Sequence, residues 1–166
     1  MDFLIKSGEH YSNRLLYKTF NILNTRRFLS YIVSFSKECQ YTLNKEDQAD
    51  INKLFGFSYG WNHHRNSARF GWCWNNNQLE IYSYVYEAGI RKSNFITVVD
   101  LDKEYKMSIQ DEDDQWVFII NNDWGSPIQT FVEKNCKFTC GLKLWPFFGG
   151  NNPAPHDMTI TMLYWD

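Results

Sequence analysis

Along most of the chain, apolar and polar residues alternate in short runs broken by Asn, Asp, Gly and Pro. Strand side chains alternate between faces with a period of two, whereas helical faces repeat every 3.6 residues. The chain follows the first rule almost everywhere. The pattern predicts strands over 3–6, 27–35, 54–59, 67–74, 78–86, 95–101, 104–110, 115–121, 128–133, 142–147 and 158–164. Turn residues separate them: Asn75-Asn76-Asn77, Asp102-Lys103, Asp111-Glu112-Asp113-Asp114, and Gly149-Gly150-Asn151-Asn152-Pro153. Helical periodicity is confined to a turn or two around 45–52, with Asn44 placed to cap it. Short strands joined by hairpin turns predict an all-β fold. The expected architecture is an antiparallel two-sheet jelly-roll sandwich, formed as one domain over residues 1–166.

The segment 67–86 holds the densest pattern. Ser67-Ala68-Arg69-Phe70-Gly71-Trp72-Cys73-Trp74 is followed by three Asn and then Gln78-Leu79-Glu80-Ile81-Tyr82-Ser83-Tyr84-Val85-Tyr86. A three-residue loop pairs Trp74 with Gln78, Trp72 with Glu80, Phe70 with Tyr82 and Ala68 with Tyr84. One face then collects Trp74, Trp72, Phe70, Tyr82, Tyr84 and Tyr86. The other collects Cys73, Gly71, Leu79, Ile81, Val85, Arg69 and Ser83. If the aliphatic face is the core side, the aromatic face is an outward platform with Tyr hydroxyls and Glu80 among its rings. The opposite reading buries the aromatic face, since large rings are mostly interior.

The chain has 166 residues, 43% of them hydrophobic and 22% charged, which supports a packed core and excludes wholesale disorder. Aromatic residues make up 18%, enough to furnish stacking surfaces as well as core. The net charge of -2 argues against nucleic acid as an obligate partner, because phosphate neutralisation needs a basic stripe. The sequence has no apolar run of membrane-span length and no visible signal peptide. As it stands it reads as cytoplasmic, or as secreted if a leader has been removed.

Four cysteines are present. Cys136 and Cys140 form C-x3-C without further zinc-spaced ligands, so Cys39, Cys73, Cys136 and Cys140 read as free thiols. Neither a metal nor a cofactor is expected. The acidic run 111–114 lacks the Gly and terminal Glu of a calcium loop and reads as a solvated hairpin turn.

The polar concentration of the chain is Gly60-Trp61-Asn62-His63-His64-Arg65-Asn66-Ser67-Ala68-Arg69. Arg pairs a carboxylate through two parallel hydrogen bonds, and His exchanges a proton near neutral pH, so this loop suits an acidic sugar. Two consecutive His on an extended chain point apart, which leaves one of them for a ligand. The alternative is a turn held by its own side chains. Near the end, Trp145-Pro146-Phe147-Phe148-Gly149-Gly150 reads as a strand end followed by a rigid loop.

Taken in order, Asn52-Lys53-Leu54-Phe55-Gly56-Phe57-Ser58, His64 to Trp72, Tyr82-Ser83-Tyr84-Val85-Tyr86-Glu87-Ala88-Gly89, Trp145 to Gly150 and Ala154-Pro155-His156-Asp157 carry a family likeness. They resemble small uncharacterised bacterial proteins of the concanavalin A-like lectin/glucanase jelly-roll superfamily. The resemblance implies a carbohydrate-related β-sandwich and carries over no catalytic residue. Retaining glucanases of that architecture arrange acids as Glu-x-Asp-x-x-Glu along a strand. Here the corresponding strand offers Glu80 and then Tyr82, Tyr84 and Tyr86, so the carboxylate pair is missing.

These observations lead to an expected function: non-catalytic, lectin-like recognition of a glycan or polysaccharide. Trp72, Tyr82 and Tyr84 would stack on the sugar, while Arg69, His64 and Glu80 would hydrogen-bond hydroxyls or a carboxylate. The alternatives are a polysaccharide lyase or glycoside hydrolase of the same fold, or a structural assembly protein whose interface covers the aromatic face.

Overall fold

The computed structural model describes residues 1–13, 23–121 and 125–165. The strands are β1 (Asp2–Ile5), β2 (Leu23–Asn24), β3 (Phe28–Phe35), β4 (Asn52–Ser58), β5 (Ser67–Asn75), β6 (Gln78–Glu87), β7 (Ile90–Val99), β8 (Glu104–Asp111), β9 (Gln115–Asn121), β10 (Ile128–Glu133), β11 (Gly141–Leu144) and β12 (Met158–Tyr164). They form two antiparallel sheets, ordered β1-β12-β3-β8-β9-β10 and β2-β11-β4-β5-β6-β7. The fold is the all-β, jelly-roll-like sandwich that the alternation predicts. Consecutive hairpins β4-β5-β6-β7 build four of the six strands of one sheet, and β8-β9-β10 three of the six in the other. The last strand, β12, returns to lie between β1 and β3.

Most of the aromatic mass is core. Trp72, Trp116, Phe3, Phe35, Phe55, Phe57, Phe70, Phe118 and Phe148 are all fully buried. Rings from the two sheets meet edge-on or tilted: Phe70 of β5 lies edge to face 5.1 Å from Phe118 of β9, and Phe35 of β3 lies tilted 5.4 Å from Trp72 of β5. Such offset and tilted contacts suit the ring quadrupole and add to area burial.

Three local expectations change. The strand expected from residue 95 begins at Ile90, because β7 is a sheet edge and its Arg91 and Lys92 can sit in a strand with one side unpaired. Over 45–49 the chain makes turns and no helix, and Asn52 already opens β4. Asn44 does cap them, its Oδ1 accepting from the Asp47 amide at 2.9 Å, but too few residues follow for a helix to propagate. The one helical element among the described residues is a 3₁₀ turn, Lys37–Cys39.

The acidic run is not uniformly solvated. Asp111 ends β8 opposite Trp116 of β9, so its side chain points into the sandwich. There it is fully buried, paired with the equally buried Lys134 ammonium, and accepts a hydrogen bond from the Tyr59 hydroxyl. Trp116 donates its indole N–H to the same Tyr59 oxygen at 2.9 Å. Burial pushes the Tyr59 hydroxyl pKa upward, with Asp111 adding to it. Only Glu112, Asp113 and Asp114 remain in solvent, with Asp113 paired to Arg27 at 2.7 Å. Cys39 and Cys73 are buried thiols, Cys136 is half-buried and Cys140 is exposed, all of them free.

Candidate functional site

The site begins with the turn between β5 and β6. Asn76 and Asn77 both take left-handed backbone angles, with φ of 49° and 58°. Asn tolerates that region, and two such residues make the tight hairpin turn whose twist matches the strands. The loop therefore has two residues and not three. Asn75 pairs with Gln78, Trp74 with Leu79, Trp72 with Ile81 and Arg69 with Tyr84.

A one-residue slip exchanges one strand's two faces relative to its partner. Phe70, Trp72 and Trp74 join Leu79, Ile81 and Val85 on the inner side. Arg69, Gly71 and Cys73 join Glu80, Tyr82, Tyr84 and Tyr86 on the outer side. Neither face proposed from the sequence exists as a unit. Trp72 has 0% exposure and contacts the rings of Phe35, Tyr41 and Phe148, so it is a core residue with no surface to offer a sugar.

A cleft of about 490 Å³ opens over this outer face. Its floor is Lys53 of β4, Arg69 of β5 and Tyr84 and Tyr86 of β6, with Arg91 of β7 at one edge. Its walls are His63 and His64 from the loop before β5, Tyr11, and the Pro146–Asn151 segment after β11. That segment is held to β4 by paired backbone hydrogen bonds between Lys53 and Phe147, at 2.8 and 2.9 Å. Tyr11 meets the Phe147 ring edge-on at 5.0 Å. The His64 ring meets Tyr86 at 5.1 Å and His63 at 4.1 Å. Both histidines reach the cleft because 62–65 is a turn, closed by the Arg65 amide on the Asn62 carbonyl at 3.0 Å. The rule that neighbouring side chains diverge belongs to extended chain only.

Space for Arg69 is made by Gly56, its partner across β4 and β5. A Cβ at residue 56 would sit 2.3 Å from the Arg69 Cβ and 2.2 Å from the Ala68 carbonyl oxygen, a forbidden approach. The guanidinium is buried, and its Nη2 donates to the carbonyls of Leu54 at 3.3 Å and Trp145 at 2.7 Å. Burial lowers its pKa to about 10. The Lys53 ammonium donates to the Gly149 carbonyl at 2.8 Å and lies over the rings of Tyr84, 5.2 Å away, and Phe147, 5.6 Å away. Burial brings its pKa down to about 8, helped by Arg69 and Arg91 and opposed by Asp50. His63 is lowered from its ordinary value by burial first, then by His64 and Arg69, which favours the neutral imidazole. Among the described residues, those lining the cleft include four Lys or Arg, two His and no carboxylate.

The remaining expected site residues lie farther along the same face. Glu80 accepts from the Tyr82 hydroxyl, from Asn75 at 3.3 Å and from the Cys73 thiol at 3.6 Å. Burial and Glu80 push the Cys73 thiol up to about 12. Glu80 is thus engaged by neighbours outside the cleft, while Tyr82 meets the exposed Phe95 edge-on at 5.8 Å. Of the six residues singled out from the sequence, the structure gathers Arg69, His64 and Tyr84. It leaves Tyr82 and Glu80 as a separate pair and sends Trp72 inward. Sequence reasoning missed Lys53, Arg91, Tyr11 and Phe147. The one available signal was the aromatic, Gly-rich segment 145–150, which singled out a rigid loop but not what it covers.

Among the described residues, no group of three or more His, Cys, Asp and Glu side chains is placed to hold a metal, and no helix is long and apolar enough to cross a membrane. No protein-family model and no curated protein matches the sequence. Among solved structures, the chain is similar to a point mutant of the GH43 protein BlXynB from Bacillus licheniformis. That likeness has a TM-score of 0.51 and 8% identity, covering 98% of this chain and 32% of the other. It is also similar to the carbohydrate binding module CBM66 from Bacillus subtilis, with a TM-score of 0.39 and 11% identity, over 97% of this chain and 78% of that module. The chain therefore spans about a third of the GH43 protein, and at such identity the likeness is one of fold.

Proposed function

We propose that this protein is a non-catalytic glycan-binding domain whose site is the cleft over the outer face of β4, β5 and β6. The observation that carries the reading is the lining itself: the exposed Tyr11 and the half-buried Tyr86 and Phe147 stand among polar groups in a cavity of about 490 Å³. Sugars offer C–H faces to rings and hydroxyls to donors, and specific small-molecule sites are built from that mixture. Tyr86 and Phe147 are the stacking surfaces in this reading, with the buried Tyr84 beneath them and Arg69, His63 and His64 as hydrogen-bonding groups. The resemblance to concanavalin A-like jelly rolls points the same way at the level of fold. Hydrolysis is disfavoured because glycosidases need two carboxyl groups about 5–10 Å apart, and among the described residues no carboxylate lines this cleft.

Affinity gel electrophoresis against a panel of neutral and acidic polysaccharides tests the reading. Retardation by at least one polysaccharide, reduced by Tyr86→Ala and accompanied by no product, is the expected result. Migration unaffected by every polysaccharide would overturn it.

One observation favours a second reading, a polysaccharide lyase. Lys53, whose pKa lies near 8, and His63, biased toward its neutral form, share the cleft with Tyr84 and Arg69. A base near neutrality and a cation to hold a uronate are what proton abstraction beside a carboxylate requires. Growth of ultraviolet absorbance from an unsaturated uronate would establish that reading in place of simple binding.

A further inference from the structure

Three cations of the cleft, Lys53, Arg69 and Arg91, are unusual in having no counter-ion among the described residues. Elsewhere the buried Lys134 is paired with Asp111, and even the exposed Arg27 and Lys92 are paired, with Asp113 and Glu87. Among the described residues, Lys53, Arg69 and Arg91 make no ion pair, and Arg69 Nε makes no hydrogen bond although it is buried. An uncompensated buried charge is costly, and a sequence optimised for stability alone would replace it. Here Gly56 is kept free of a side chain in the position where any Cβ would expel Arg69. Asp50, which acts on Lys53 through its field, lies outside the residues lining the cleft.

Resting on the glycan-binding reading, we propose that the cleft selects glycans bearing carboxylates, with a uronate group seated among Lys53, Arg69 and Arg91. An anion there supplies the missing counter-charge in a water-poor setting, where the attraction exceeds its value in bulk solvent. A planar carboxylate suits guanidinium donors better than a tetrahedral anion held by point charges. The ring of Phe147, which with the buried Tyr84 flanks Lys53, then meets the sugar that carries the acid. Arg91, exposed at the edge strand, extends the positive field to the entrance and steers approach.

The experiment compares polygalacturonate, alginate and hyaluronate with fully methyl-esterified polygalacturonate, dextran, dextran sulfate and a single-stranded dT oligonucleotide, each by isothermal titration and gel retardation. The methyl ester keeps the sugar rings and removes the charge. Support requires binding of at least one uronate polymer that weakens at least tenfold for its uncharged form or for dextran. Lys53→Met and Arg91→Gln should each weaken it at least fivefold with an unchanged circular dichroism spectrum. Arg91 is exposed, so its variant keeps the test decisive even if substitution at Lys53 disturbs β4. Equal binding of dextran or the methyl ester overturns the carboxylate inference and leaves glycan binding standing. Preference for dextran sulfate also overturns it, and preference for the oligonucleotide overturns both readings. Absence of binding to every probe overturns both as well.

Discussion

Arg69 stands directly opposite Tyr84 across the β5–β6 ladder, and the two side chains share the outer face of the sheet. The pairing follows from a two-residue turn at Asn76-Asn77. It places a buried guanidinium beneath an aromatic cleft. With the three-residue loop, Arg69 and Tyr84 would lie on opposite faces and the cleft would lose its floor.

The turn makes the register testable. Both central residues hold positive φ, which Gly adopts freely and a β-branched residue adopts only at about 1–2 kcal/mol. Asn77→Gly is expected to hold or raise stability, while Asn77→Val lowers it by about 1–2 kcal/mol. Urea titration monitored by tryptophan fluorescence checks both.

Trp72 and Tyr86 should separate stability from binding. Trp72 is fully buried between the sheets, so Trp72→Ala should cost about 3–5 kcal/mol of folding stability. Tyr86 is half-buried at the cleft edge, and Tyr86→Ala should leave the fold standing while weakening glycan binding about three- to tenfold, the value of one aromatic contact. Thermal melts and titration calorimetry on the two variants check this. A stable Trp72→Ala protein would mean that the inner and outer faces are wrongly assigned.

Lys53 couples the site to pH. Its pKa of about 8 comes from burial and from Arg69 and Arg91, with Asp50 opposing; His63 and His64 share the cleft, and burial holds His63 below its ordinary value. Only the protonated ammonium attracts an anion, so affinity for an acidic glycan should fall as pH rises through about 8. Stability runs the other way. The unfolded lysine holds its proton up to about pH 10.4, so between about 8 and 10.4 the unfolded state binds more protons and Lys53 destabilises the fold less as pH rises. Lys53→Met should remove both trends, which paired titrations and melts of wild type and variant will show.

The Asp111–Lys134 pair predicts a sharp asymmetry between single and double replacement. Lys134→Met leaves a fully buried carboxylate facing Tyr59 with Arg27, 3.6 Å away, as its remaining counter-charge, and should cost about 3 kcal/mol. Combining it with Asp111→Asn removes the stranded charge, keeps an acceptor for the Tyr59 hydroxyl, and should recover a large part of that loss. Denaturant unfolding of the wild type, both single variants and the double variant measures the coupling. Equal losses in Lys134→Met and in the double variant would mean that the pair adds nothing beyond packing.

Alternation of apolar and polar residues determined the strands, because an antiparallel sandwich buries one face of each strand and the side-chain period of two is local. Hairpin turns with Asn, Asp and Gly determined which strands are consecutive neighbours. The two-sheet fold was therefore legible in the chain alone, and so was the concentration of chemistry around His63, His64 and Arg69. Tertiary structure decided the rest. Three Asn in a row are compatible with turns of two residues or three, and that single residue chose whether Tyr84 joins Trp72 or Arg69. Lys53 and Phe147 are 94 positions apart in sequence and meet only because the chain after β11 runs beside β4. Asp111 reads as one more acid in a turn until Lys134 and Tyr59 arrive from other strands to hold it. Faces and partners across sheets depend on long-range register, to which local pattern is blind, and the cleft is made of those long-range meetings.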